Sequence, residues 1–101
     1  VALLADELGR IAGVDAAFLY GSFAARLLGV DGAAPNDIDV MVIGTPDANE
    51  VYDACTRVEA AVHRPVSPTI LTAIELAEQS SFLDTVRSGP VVPVVGELPW
   101  Q

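Results

Sequence analysis

Residues 20–44 read YGSFAARLLGVDGAAPNDIDVMVIG, and this stretch decides the fold. The apolar run before it, VDAAFLY (14–20), reads as a strand buried on both faces after Asp15. Gly21 and Ser22 end that strand, and FAARLLG has helical character up to Gly29, with Ser22 as the N-cap candidate. A loop follows at 30–36, VDGAAPN, punctuated by Gly32 and Pro35. DIDVMVI (37–43) is then a second strand, opened by two aspartates and stopped by GTPD.

The spacing of the aspartates has a chemical consequence. Strand side chains alternate between faces, so Asp37 and Asp39 point the same way, about 6.6 Å apart along the backbone, while Ile38 and Val40 anchor the opposite face. Two carboxylates this close repel each other and take up a proton or a cation. Mg²⁺ is usually held by one or two carboxylates and brings phosphate oxygens with it. The plainer alternative is a strand start in which Asp37 caps a turn and Asp39 faces water. Gly21 lets the backbone bend sharply and approach a ligand. The N–H groups that open the next helix offer a place for a phosphate, and Ser22 adds a hydroxyl. Taken alone, Gly-Ser is an ordinary strand-to-helix turn. Taken together, the two features pair a phosphate site with a site for the metal that bridges phosphates. Arg26 is placed either to reach a phosphate from the short helix or to be a surface residue.

Working outward, residues 2–12 place Leu4, Leu8 and Ile11 on one helical face, with Gly13 as a stop. Asp47 can cap a helix running to about Val62, whose inner face is Val51, Cys55, Val58 and Val62. Cys55 reads as a small core residue, and Glu59 as solvent-facing. RPVSPTIL (64–71) is extended, and its two prolines put it near a sheet edge. Thr72 and Glu75 form a capping-box pattern with Leu71 and Leu76 as the hydrophobic staple, so a helix starts near Ala73. Ser80, Ser81 and Asp84 suggest a break and a fresh helix, ended by Gly89 and Pro90. VVPVV (91–95) is a last strand that Pro93 keeps off the middle of a sheet. The order predicts an α/β (α+β) protein: a small mixed sheet of about four strands with helices packed on it. One domain over 1–95 and a tail over 96–101 are expected. The start at Val1 suggests a missing N-terminal segment or domain.

The chain has 101 residues, about half of them apolar, enough for one core. Its net charge is −9, and all five basic residues are arginines. Such a surface repels phosphate backbones, which argues against direct nucleic-acid binding by this piece. No apolar run approaches the roughly 18 residues of a membrane span, and no signal peptide is visible, so a cytoplasmic setting is expected. The single cysteine excludes an internal disulfide and a cysteine-based zinc cage. His63 suits the C-terminal end of its helix. Arg64 either neutralises the acidic site or is solvated. Trp100 would dock on the body or on a partner.

The stretch 20–44 resembles the signature of the nucleotidyltransferase superfamily related to DNA polymerase beta, especially its minimal members: Gly-Ser, a short helix and loop, then a hydrophobic-flanked Asp-x-Asp. The resemblance implies that Gly21 and Ser22 contact a nucleoside triphosphate, ATP being the first candidate. It implies too that Asp37 and Asp39 hold Mg²⁺, and that a nucleoside monophosphate passes to a hydroxyl acceptor. Three departures stand out. Relatives often carry Ala-Arg-Gly after Gly-Ser-x, whereas here the basic residue is Arg26, displaced by one. Many have Ser before the acid pair, where this chain has Asn36. Active members take a third carboxylate from the next strand, and the matching place here is Val66-Ser67. Ser67 can neither act as the base nor ligate metal strongly. Glu75 is already explained by its cap, and Glu59 by exposure. The resemblance therefore leaves two roles open: a slow transferase, or a nucleotide-sensing or interaction module. Such modules occur joined to winged-helix DNA-binding segments, or as the antitoxin of a toxin–antitoxin pair. A homodimer or another protein partner fits either.

Overall fold

The computed structural model describes residues 2–29, 37–78 and 80–97. The loop expected at 30–36, with Asn36, and Trp100 lie outside the described residues. Among the described residues nine elements follow in the expected order: α1 (Ala2–Gly9), β1 (Val14–Tyr20), α2 (Gly21–Leu27), β2 (Ile38–Gly44), α3 (Ala48–Val62), β3 (Val66–Leu71), α4 (Ala73–Ala77), α5 (Ser81–Ser88) and β4 (Val92–Val95).

The four strands form one mixed sheet in the order β3-β2-β1-β4. β1 runs antiparallel to both β2 and β4, and β2 is parallel to β3. The proline-bearing strands take the two edges, where a missing ladder donor costs least. β1 and β2 sit in the middle, and both faces of their apolar runs are covered. Leu19, Val40 and Val42 pack with Leu4 and Leu8 of α1 and with Val51, Ala54, Cys55 and Val58 of α3. Phe18, Met41 and Ile43 pack on the opposite face with Leu76 of α4 and Leu83 and Val86 of α5. Full burial of side chains such as Phe18, Leu19 and Met41 contributes roughly 1.5–3 kcal/mol each.

Local chemistry sets the helix ends. Asp47 Oδ1 accepts from the Asn49 N–H at 2.8 Å, capping α3. His63 ends that helix in the left-handed conformation, its N–H on the Glu59 carbonyl. Thr72 and Glu75 make both bonds of the capping box, at 3.1 and 3.0 Å. Ser80 caps α5 through the Leu83 N–H. Arg87 of α5 donates to the Leu76 carbonyl, tying the two short helices together. An exposed pair, Arg57 Nε to Glu7 Oε2 at 2.7 Å, links α3 to α1.

Several expectations are corrected. α1 stops at Gly9, not at Gly13, and β2 begins at Ile38, leaving Asp37 just ahead of the strand. Ser22 is not the N-cap of α2: the helix already includes Gly21, Tyr20 holds the cap position, and no side chain caps it. Val62 is exposed, and Ala54 takes a place on the buried face of α3 instead. Glu59 does not point to solvent. Its Oε1 accepts the Val66 N–H at 2.7 Å and so pins the start of β3 to α3. Cys55 is buried in the core as expected, and its thiol is pushed up to about 11, first by burial and then by the nearby Glu59 charge. No described helix is long and apolar enough to cross a membrane.

Candidate functional site

The antiparallel pairing of β1 with β2 sets Tyr20 opposite Asp39. β1 therefore ends beside the acid that β2 carries into the sheet. Ile38, Val40 and Val42 point into the core under α1 and α3, so Asp39 falls on the other face, the one shared with Met41 and Ile43. α4 and α5 cover that face further along but leave Asp39 partly exposed.

Gly21 makes the bend out of β1 at a φ of +73°, a conformation that L side chains rarely adopt. Its missing side chain also leaves room for Asp39: a Cβ on Gly21 would stand 2.8 Å from Asp39 Oδ2. The bend after the first strand and the acid on the second are thus in contact on one side of the sheet. Asp37, exposed just before β2, adds its charge to the same locality. The Asp39 carboxyl titrates above its ordinary value, first because burial removes water from it and second because Asp37 repels its negative form.

Ser22 is exposed in the first turn of α2. Arg26 lies four residues on, at the spacing that puts two side chains on one helix face, and is also exposed. Asp39 and Gly21 therefore meet at the junction of β1, α2 and β2, with Asp37 and Ser22 next to them in the chain, and Arg26 lies one turn further along α2. Arg64 does not join them. Its guanidinium sits 5.7 Å over the Phe23 ring, beside the core on the other face of the sheet.

The parallel pairing of β2 with β3 puts Ser67 directly beside Asp39. The neighbouring-strand position from which a third carboxylate would reach the acid pair thus carries a hydroxyl. Among the described residues, no group of three His, Cys, Asp or Glu side chains is placed to hold a metal ion. Glu75 stays committed to its cap. The donor set is two carboxylates with a neighbouring serine, which suits a hard, oxygen-loving cation that keeps water and substrate oxygens in its shell.

Two residues of this face escaped the sequence reading. Tyr20 is half-buried, its hydroxyl 3.3 Å from Thr69 Oγ1 on β3, and its ring meets Phe82 edge-on at 5.8 Å between centroids. A groove of about 410 Å³ runs from Tyr20, Gly21 and Ser22 to Phe82, Val86 and Pro90. Its walls are almost wholly apolar. The signal for Tyr20 was its place next to Gly21 at the strand end. Thr69 gave no local signal, because only the β3 register brings it there.

The chain matches no protein-family model and no curated protein. It does resemble solved structures. One is a crystal structure of a toxin–antitoxin with AMP-PNP, at a TM-score of 0.59 and 20% identity over 94% of this chain and 68% of that one. Another is a mutant of the toxin–antitoxin MntA–HpeT with two aspartates, two positions apart, changed to glutamate; its TM-score is 0.59 and its identity 18%, over the same shares. At these identities the likeness shows the fold alone: this chain shares the mixed α+β fold of those structures.

Proposed function

We propose that this chain binds a Mg²⁺–nucleoside triphosphate, with ATP as the first candidate, and that it transfers a nucleoside monophosphate to a hydroxyl slowly if at all. The observation that carries the reading is the contact between the Gly21 bend and the Asp39 carboxylate. It puts a backbone that tolerates close approach next to the acid pair, so one ligand can touch both. Asp37 and Asp39 would hold the cation, which would neutralise the repulsion between them and offset the charge of a triphosphate. Gly21 and Ser22 would take the phosphates, with Arg26 on the Ser22 face of α2 as an added positive charge. The apolar groove beside Tyr20 and Phe82 gives a flat base a surface to lie on. The AMP-PNP of one structural neighbour supports an adenine nucleotide.

Slow transfer follows from Ser67. In-line displacement with two metals needs ligands that serve both the attacking and the leaving oxygen, and a base for the incoming hydroxyl. Ser67 beside Asp39 supplies neither a strong ligand nor a base. Both structural neighbours are toxin–antitoxin structures, which favours a role in which this chain meets a protein partner, as an antitoxin does, over a freestanding transferase. A sensing module joined to a winged-helix regulator is the other form of the same idea, and a homodimer is compatible with both. The compartment proposed is the cytoplasm.

Calorimetry with ATP in the presence and absence of Mg²⁺ tests the site, on the natural chain and on Asp39→Asn. Metal-dependent binding that Asp39→Asn abolishes is the expected result. Equal binding by the two proteins removes the acid pair from the proposal. Rapid transfer of label from α-labelled ATP to any acceptor would show that Ser67 does not limit the chemistry.

A further inference from the structure

We infer that a cavity on the reverse face of the sheet binds a small apolar monocarboxylate, with the carboxylate on Arg64 and the tail between α1, α2 and α3. The cavity measures about 290 Å³. Its floor is Leu4, Leu19, Ile38 and Val58, all buried in the core, and Leu3 and Phe23 form part of its wall. Ligand pockets run from roughly 300 to 1,000 Å³, so this one, just below that range, suits only a small ligand such as a short-chain or medium-chain acid.

Among the described residues, Arg64 is the only charged or polar side chain in the lining. Its guanidinium is held over the Phe23 ring at 5.7 Å, which keeps the charge at the rim. No described carboxylate pairs with it, whereas Arg57 has Glu7 and Arg87 has Asp84. A fixed cation at the mouth of an apolar hollow recognises a molecule with one anionic end and a hydrocarbon body. A phosphate ester finds no further side-chain donors among the described residues of the lining. The inference does not depend on the nucleotide reading, because Asp39 lies on the other face of the sheet.

The probe is octanoate, titrated into the chain by calorimetry, with 1-octanol and octylamine as controls and amide resonances followed by NMR. Octanoate is expected to bind more tightly than both controls, with shifts at Phe23, Ile38 and Arg64. Arg64→Gln, at an exposed position and so compatible with folding, is expected to weaken octanoate roughly five- to tenfold while leaving octanol unchanged, the range for a rim ion pair with a charge-assisted hydrogen bond. Arg64→Lys should keep part of the preference for the acid. The inference is overturned by any of four results: no saturable octanoate binding at millimolar concentration, equal affinity for octanol, an Arg64→Gln variant that binds octanoate as before, or shifts confined to the Phe82–Gly89 groove. A dimer that forms in the absence of octanoate and is broken by Arg64→Gln would assign the cavity to a second copy instead, and overturns it too.

Discussion

The carboxylate of Asp39 rests against the backbone of Gly21, so close that a methyl group on the glycine would stand 2.8 Å from Oδ2. Two residues eighteen positions apart thereby occupy one small volume, and each constrains what the other can be.

Gly21→Ala should be penalised twice. The φ of +73° costs an L residue about 1–2 kcal/mol, and the new methyl must also displace Asp39. For a domain of this size each kcal/mol lowers Tm by roughly 4–8 °C. Denaturation of Gly21→Ala, Asp39→Ala and the double variant reads the coupling directly. The double variant should be more stable than the sum of the single losses predicts. Simple additivity would mean that the contact carries no energy.

Asp39→Asn should stabilise the fold near neutral pH. The Asp39 carboxyl titrates above the ordinary 3.8 in the folded chain, so the folded state holds that proton more tightly than the unfolded state does. Stability linked to this group is therefore favourable at low pH and is lost as pH rises from about 3.8 through the raised folded value. Asparagine removes that loss. The difference in unfolding free energy between the two proteins should grow with pH across this window and level off above it. A difference of the opposite sign contradicts the burial and the Asp37 repulsion as causes. Mg²⁺ should shrink the difference, because a bound cation stabilises the ionised pair.

On the proposed function, Ser67→Asp should raise nucleotidyl transfer to a measurable rate. The β3 register sets this side chain beside Asp39, where a carboxylate can ligate metal and accept the proton of an attacking hydroxyl. A positioned base typically contributes about 10²–10⁴-fold. Labelling of an acceptor, or of water, should rise by roughly tenfold or more over the natural chain, and Mg²⁺ should bind more tightly. Without Mg²⁺ the added charge should destabilise the variant. An unchanged rate despite tighter Mg²⁺ binding would mean that something other than the missing carboxylate limits transfer.

Glu59→Ala should cost about 1–3 kcal/mol, the penalty for leaving the Val66 N–H without its acceptor. Chemical denaturation measures it. Cys55 gives a second readout: with the Glu59 charge gone, its thiol should titrate below the present value of about 11, detectable as faster thiolate formation with rising pH. Glu59→Gln keeps an acceptor for Val66 and should recover part of the stability, while lowering the thiol value just as alanine does.

The element order and most helix ends were legible in the sequence because they rest on neighbours. Thr72 and Glu75 find each other within one turn, Asp47 reaches two residues ahead, and Pro68 and Pro93 carry their edge preference wherever the strand goes. The two acids and the Gly-Ser bend stand in nearby positions and so could be picked out as residues, although Asp37 falls just ahead of the strand it was expected to open. What misled the reading was local logic applied where a distant contact prevails. Ser22 has the composition of a cap, but the left-handed Gly21 already starts the helix. Glu59 has the composition of a surface residue, but the start of β3 needs an acceptor and takes it.

Only the tertiary structure decided which residues share a face. Strand register sets Tyr20 and Ser67 on either side of Asp39, and a slip of one residue would have turned both away. Chain packing sends Arg64 to Phe23 on the far side of the sheet, away from the acids it was a candidate to neutralise. The sequence by itself determined the strands, helices, bends and the supply of carboxylates, since each depends on a few consecutive residues. Pairing between segments twenty to fifty residues apart depends on how all the apolar faces bury together, and that sum belongs to the folded chain as a whole.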